Sequence, residues 1–221
     1  RGDPRPWDHR NGTVLEDATA GVHAGERAQL NLSAESQALL NGIHAPMIAR
    51  DHFLMLARYH VWATDQLLDR HVARLSDDDY RRDVGLFFKS VHGTLNHLLV
   101  AERGLWFERF VNGQSPKRTL NEEVHGDRAT LHAALKQAAR DWLPAIGSWD
   151  EARFDGTLHY TSTQGVGRTV PFAPTLTHVF NHGTHHRGQI SAALTGLGGE
   201  APEIDLLFTV LAGTVKESGS P

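Results

Sequence analysis

Leu54, Val61, Leu68 and Leu75 recur every seven residues, with Ala57 and Val72 between them. Apolar residues at that interval return to one face of an α-helix, and a stripe this long hides only against other helices. The spacing predicts a helix from about Ala49 to Leu75. Val91, Leu95, Leu98, Glu102 and Leu105 form the stripe of a second helix, Lys89–Val111, widened by Trp106, Phe107 and Phe110 and ended by Asn112-Gly113. Leu131, Leu135, Ala138 and Trp142 mark a third, from a candidate N-cap at Asp127 to Leu143, where Pro144 stops it. A fourth runs from about Pro174 to Thr195, with Gly196, Gly198 and Gly199 at its exit, and a short last helix covers Pro202–Ala212. Ser76-Asp77-Asp78-Asp79 caps a connecting turn. Four long helices with short links predict an all-α fold, a four-helix bundle.

One β-like interruption enters that pattern. Thr157–Thr163 and Gly167–Phe172 flank Gln164-Gly165, which predicts a hairpin before the fourth helix. Residues 1–45 are read as an irregular extension, rich in Pro, Gly and charge, with a short helix at Ser33–Leu40; the bundle occupies 46–215. A net charge of −4 is too mild to predict a nucleic-acid or membrane-surface partner. The absence of cysteine excludes disulfides, thiolate metal sites and a cysteine nucleophile. No stretch approaches the roughly 18 apolar residues of a membrane-spanning helix. With no apolar signal core at the start of the sequence, a cytoplasmic location is the default expectation.

Fifteen histidines remain to be explained. His178, His182, His185 and His186 fall in THVFNHGTHHRGQI on the fourth helix. Residues four apart share a helical face, so His178, His182 and His186 form one drifting stripe with His185 beside it. Two imidazoles so spaced can reach one metal ion. With this many histidines chance supplies about one such pair, so the series of three says more than any pair. Zinc peptidases of the H-E-x-x-H type need Glu directly after the first histidine; Gly183 stands there, which excludes that chemistry. His97, in TLNHLLVAER, lies mid-helix beside the Leu95/Leu98 stripe. It is either a satisfied core histidine or a third ligand. His92 is rotated off that face.

At these residues the sequence resembles the DinB (damage-inducible) family. That family lies within a superfamily of metal-binding four-helix bundles that includes bacillithiol transferases and mycothiol-dependent maleylpyruvate isomerase. The matching blocks are ARYHVWATDQLL at 57–68, SVHGTLNHLLVAERGLW at 90–106, PTLTHVFNHGTHHRGQISAALTGLG at 174–198 and PEIDLLF at 202–208. The resemblance implies one divalent metal held by three histidines, here His97, His182 and His186. It also implies a homodimer and, from some branches of the superfamily, a low-molecular-weight thiol as cosubstrate. The family name records induction by DNA damage and implies no contact with DNA.

Three imidazoles leave a coordination position open to water or substrate, and Zn, Ni or Fe all suit such a donor set. His178, one turn before His182, is the candidate for an outer or proton-relaying role. Glu102, five residues past His97, is expected off that residue's face. Tyr59 and Trp62 are expected in the core, and Arg187 and Gln189 in solvent or an interface. Phe53, Met55, Tyr59, Trp62, Trp106, Phe107 and Phe110 exceed what one seam needs, which points to a dimer interface or to cover from the hairpin and last helix. Two functions are compatible with these features: a metal-dependent enzyme, either a thiol transferase or a hydrolase of a small substrate, and a non-catalytic stress-response metal-binding dimer.

Overall fold

The computed structural model describes residues 48–217; the extension and its Ser33–Leu40 helix lie outside them. Helix α1 (Ala49–Gln66) runs on through a π-helical turn, Leu67–His71, and a 3-10 turn, Val72–Arg74. Ser76 then caps the short α2 (Asp77–Arg81), its hydroxyl accepting from the Asp79 N–H at 3.1 Å. Helix α3 (Val91–Leu99) is capped by Ser90, which accepts from the Gly93 N–H at 3.0 Å. A Cβ at Gly93 would stand 2.1 Å from the Phe88 carbonyl oxygen, so only glycine lets the loop carrying Phe88 lie against α3. The helix continues through a π-helical stretch, Val100–Phe107, into α4 (Glu108–Val111).

Asp127 caps α5 (Arg128–Gly147), accepting from the Thr130 N–H at 2.8 Å. Pro144 does not stop this helix; it lies inside it. The missing N–H weakens one turn, yet Trp142 and Ile146 are both fully buried on the same aromatic cluster, and that packing carries the helix past the proline. Strands β1 (Thr157–Thr161) and β2 (Gly167–Pro171) pair antiparallel as the predicted hairpin, with Gly165 at φ +80° in its turn. Helix α6 (Phe172–Gly196) begins before Pro174, which occupies the first turn where no N–H is needed. The last helix, α7 (Leu206–Glu217), starts later than the sequence predicts. The carbonyl of Ile204 accepts from the Tyr59 hydroxyl at 2.8 Å and ties down the segment before it.

The fold is all-α apart from this hairpin. Helix α1 packs on α5 and α6, and α3 packs on the same two helices. Two apolar clusters result. One gathers Leu67, Leu68, Val91, Leu95, Leu131 and Ile190; the other gathers Phe53, Phe110, Trp142, Phe172, Leu176 and Phe180. Burying each such side chain is worth about 1.5–3 kcal/mol.

The seam of α1 differs from the heptad expectation. Phe53, Ala57, His60, Ala63 and Leu67 are buried, whereas Leu54, Val61 and Leu75 are only half-buried. A polar residue, His60, lies on the true seam, and a search for apolar periods skips it. The surplus aromatics also find partners within the chain. Phe53, Tyr59, Phe107 and Phe110 are buried, Trp62 approaches Phe208 of α7, and Trp106 packs edge-on against Tyr160 of the hairpin. No helix among the described residues is long and apolar enough to cross a membrane.

Candidate metal centre

One helical turn on α6 separates His182 from His186, and α3 brings His97 opposite them. The Nε2 of His182 lies 3.2 Å from Nε2 of His97 and 3.2 Å from Nε2 of His186. One ring nitrogen from each of the three histidines falls within 4.8 Å of the others. A tetrahedral ion with bonds of about 2.05 Å holds its donors about 3.3 Å apart, so the set fits a divalent metal. The other ring nitrogens point outward. The Nδ1–H of His97 donates to the Leu120 carbonyl at 2.8 Å, because a carbonyl only accepts; this leaves a lone pair on Nε2. The Nδ1 of His186 meets Oε1 of Gln189 at 2.7 Å, with the same consequence. Outer acceptors of this kind orient metal-binding histidines. Phe88 stacks on the His97 ring, with centroids 3.8 Å apart, and fixes its plane.

The other residues singled out from the sequence fall elsewhere. The ring of His178 is 5.7 Å from that of His182 and packs edge-on against Trp106 at 5.3 Å. Its residue is exposed, outside the nitrogen cluster. His185 is exposed and receives the Gln189 amide at 3.1 Å. His92 is buried, beside Asn96 and Glu123, away from the trio.

The largest departure from expectation is a buried polar layer beside the trio. Glu102 is 3 %, His60 2 % and Arg187 2 % exposed. A guanidinium only donates, so Arg187 Nη1–H donates to His60 Nδ1 at 2.8 Å, and His60 Nε2–H donates to Glu102 Oε2 at 3.1 Å. Arg187 is thus no solvent or interface residue. Glu102 is no bystander either. Its neighbourhood of His60, Arg187 and His182 holds the carboxyl below its usual range, although burial alone would raise it. Glu102 lies on the buried stripe of Leu95, Leu98 and Leu105, and a π-helical stretch begins at Val100 just before it. Gly183 has its own reason: a Cβ there would come 2.8 Å from Glu102 Oε1 and 3.0 Å from both Arg187 Nη1 and His60 Cε1. The one signal in the sequence was Glu102 on an otherwise apolar stripe.

Burial, joined by the neighbouring imidazoles, pushes His182 and His186 down to about 4. Burial and then Arg128 and Lys136 do the same to His132 on α5. A histidine unfolds to its ordinary value near 6.5, so between about 6.5 and 4 the unfolded chain binds more protons than the folded one. The metal-free protein should therefore melt at one temperature above about pH 6.5 and progressively lower down to pH 4. Thermal melts followed by circular dichroism check this; a flat melting temperature across that window would contradict it. The same depression keeps these nitrogens neutral, as metal binding requires.

The chain matches the DinB family model over residues 49–216, from the first residue of α1 into α7. It is 26% identical over 154 residues to a curated relative, Protein DinB of Bacillus subtilis (strain 168), a match that covers 67% of this chain and 87% of that protein. The matched span holds all four long helical segments, the hairpin and every residue of the histidine cluster, and on that ground the chain belongs to the DinB family.

Proposed function

We propose that the chain binds one divalent ion, Zn, Ni or Fe, through His97, His182 and His186 and is a metal-dependent enzyme. In this reading it transfers a low-molecular-weight thiol or hydrolyses a small substrate. The observation that supports it is the convergence of three Nε2 donors whose outward nitrogens, in His97 and His186, already have acceptors. Such an ion supplies Lewis acidity and a coordination position open to a water, thiolate or carbonyl ligand.

The chain's own contribution is a cleft of about 710 Å³, lined among others by Phe87, Phe88, Lys89, Arg118 and Leu120. Phe88 and Leu120 are the residues that stack on and accept from His97, so the cleft wall is also the mount of that ring. Phe87 is 81 % exposed, an uncovered aromatic on a wall that also carries Lys89, Arg118, Glu122 and Glu123, with Arg118 paired to Glu122 at 2.6 Å. That combination suits a small molecule with an apolar part and polar groups.

One observation favours the second reading, a non-catalytic stress-response metal-binding dimer. Glu102, a carboxylate beside the trio, is buried and engaged by His60, and among the described residues His178 is the one further imidazole packed against His182 apart from the cluster itself and offers at most a proton relay. Beyond the site, the reading comprises a four-helix bundle over 46–215 with an accessory segment at 1–45, a cytoplasmic location without nucleic-acid or membrane partners, and a homodimer. Leu207 and Phe208, exposed on α7, are candidates for the contact between copies.

The test is turnover. Protein loaded with each metal is assayed against low-molecular-weight thiols paired with electrophiles, and against small esters. Metal-dependent turnover that disappears in His182→Ala is expected. Full metal occupancy with no turnover on any substrate overturns the enzyme and leaves the binding protein. Light scattering on the same preparation reads the dimer, and the mass of one chain at every concentration rejects it.

A further inference from the structure

Three buried atoms in and beside the polar layer lack a partner: Nε of Arg187, which can only donate, Nδ1 of His182, and Oε1 of Glu102, which can only accept; the last two lie on neighbouring parts of the site. The Glu102 oxygen lies against the backbone of Gly183, the residue after His182, where a Cβ would approach it to 2.8 Å. The two side chains bias each other's charge, which places them in one electrostatic neighbourhood.

The tautomers connect them. His97 and His186 each turn an Nε2 lone pair toward His182. With a metal among the three nitrogens, Nε2 of His182 must also present a lone pair, and its proton moves to Nδ1. A buried Nδ1–H then needs an acceptor, as the other two histidines have in Leu120 and Gln189. We propose that Glu102 is that acceptor, through Oε1 directly or through one water, and so positions His182 for metal binding. The carboxylate serves both sides of the layer, since Oε2 takes the His60 proton and Oε1 remains for His182. This inference rests on the three-histidine metal reading above.

The test is metal affinity, read by competition with a zinc chelator and independent of any reaction. In Glu102→Gln the single amide oxygen must face the His60 Nε2–H, because Arg187 occupies Nδ1 of that ring. The amide NH2 then faces His182, donor against donor where the contact is direct, and where a water bridges the two that water loses its charged acceptor. Zinc affinity should fall about 10–100-fold, the range for losing an outer partner of a metal-binding histidine. His60→Asn disturbs the same buried layer but leaves the carboxylate, and should keep affinity within about threefold. Glu102→Gln binding as tightly as the wild type overturns the proposal, and so does an equal loss in both variants, which would mean general disruption of the layer. If the wild type binds no zinc, the metal reading fails first. If Glu102→Gln does not fold, nitrogen-edited NMR of the zinc-loaded wild type decides. The His182 ring N–H should be protected from exchange and lie furthest downfield of the three, as expected for a carboxylate acceptor. A His182 ring N–H exchanging like a surface proton overturns the assignment.

Discussion

Purified without a histidine tag and equilibrated with zinc, the wild-type chain should retain about one ion, and His182→Ala almost none. His182 is the sharpest choice because its Nε2 is within 3.2 Å of both partners, so its loss leaves His97 and His186 without the donor that joins them. Loss of an outer partner weakens a metal site about 10–100-fold, and removal of a ligand should exceed that range. Thermal stability gives a second reading. An ion at about a thousand times its dissociation constant stabilises by about 4 kcal/mol, and a chain of this size melts about 2–4 °C higher per kcal/mol. Zinc should raise the wild-type melting temperature by roughly 8–16 °C and leave His182→Ala unmoved. His159→Ala is the control, an exposed histidine on the hairpin outside the cluster. Metal content and zinc-induced stabilisation unchanged in His182→Ala would reject the histidine site.

The parts of this molecule that follow repeating physical rules were readable in its sequence. The helical stripes of α3 and α5 lie where Leu95, Leu98, Leu131 and Leu135 put them, because burial of an apolar stripe is what makes those helices pair. Ser76, Asp127 and the Gln164-Gly165 turn announced their roles through local chemistry. Spacing puts His178, His182 and His186 on one stripe without choosing a pair among them; the family resemblance singles out His182 and His186, and it does the same for His97, which is ambiguous on its own residues. What could not be read depends on departures from ideal geometry. Glu102 lies on the buried stripe where its spacing puts it, but nothing in VAERGLWF marks the π-helical stretch at Val100–Phe107 or the partners that meet the carboxylate. His60 and Arg187 look like ordinary polar residues until three helices bring them against that carboxylate. Pro144 reads as a stop because the rule is local, whereas Trp142 and Ile146 hold the helix through tertiary packing.

Replacing Arg187 by Ala should be among the most damaging single changes in the fold. Its guanidinium donates to His60 Nδ1 and to the Thr184 hydroxyl, and its charge lies beside the buried Glu102. Removing it strands a carboxylate and an imidazole where water does not reach, and breaking a buried pair in this way costs about 3–5 kcal/mol. At about 2–4 °C per kcal/mol the melting temperature should fall by roughly 6–20 °C. An exposed arginine sets the baseline. Arg74 faces Glu200 at 3.3 Å, but both side chains are mostly in solvent, so Arg74→Ala should change stability by less than about 1 kcal/mol. Charge can be separated from volume by replacing all three members of the layer with apolar residues, Glu102→Leu and His60→Leu with Arg187→Met, since His60 links the other two. A buried pair replaced whole by apolar packing is often neutral or stabilising, because the desolvation of two ions is relieved together. The triple variant should therefore recover most of what Arg187→Ala loses, while giving up zinc affinity if Glu102 supports His182. A loss below about 1 kcal/mol in Arg187→Ala would mean that water already reaches Glu102 and His60, and the dry polar layer between the two apolar clusters would have to be abandoned.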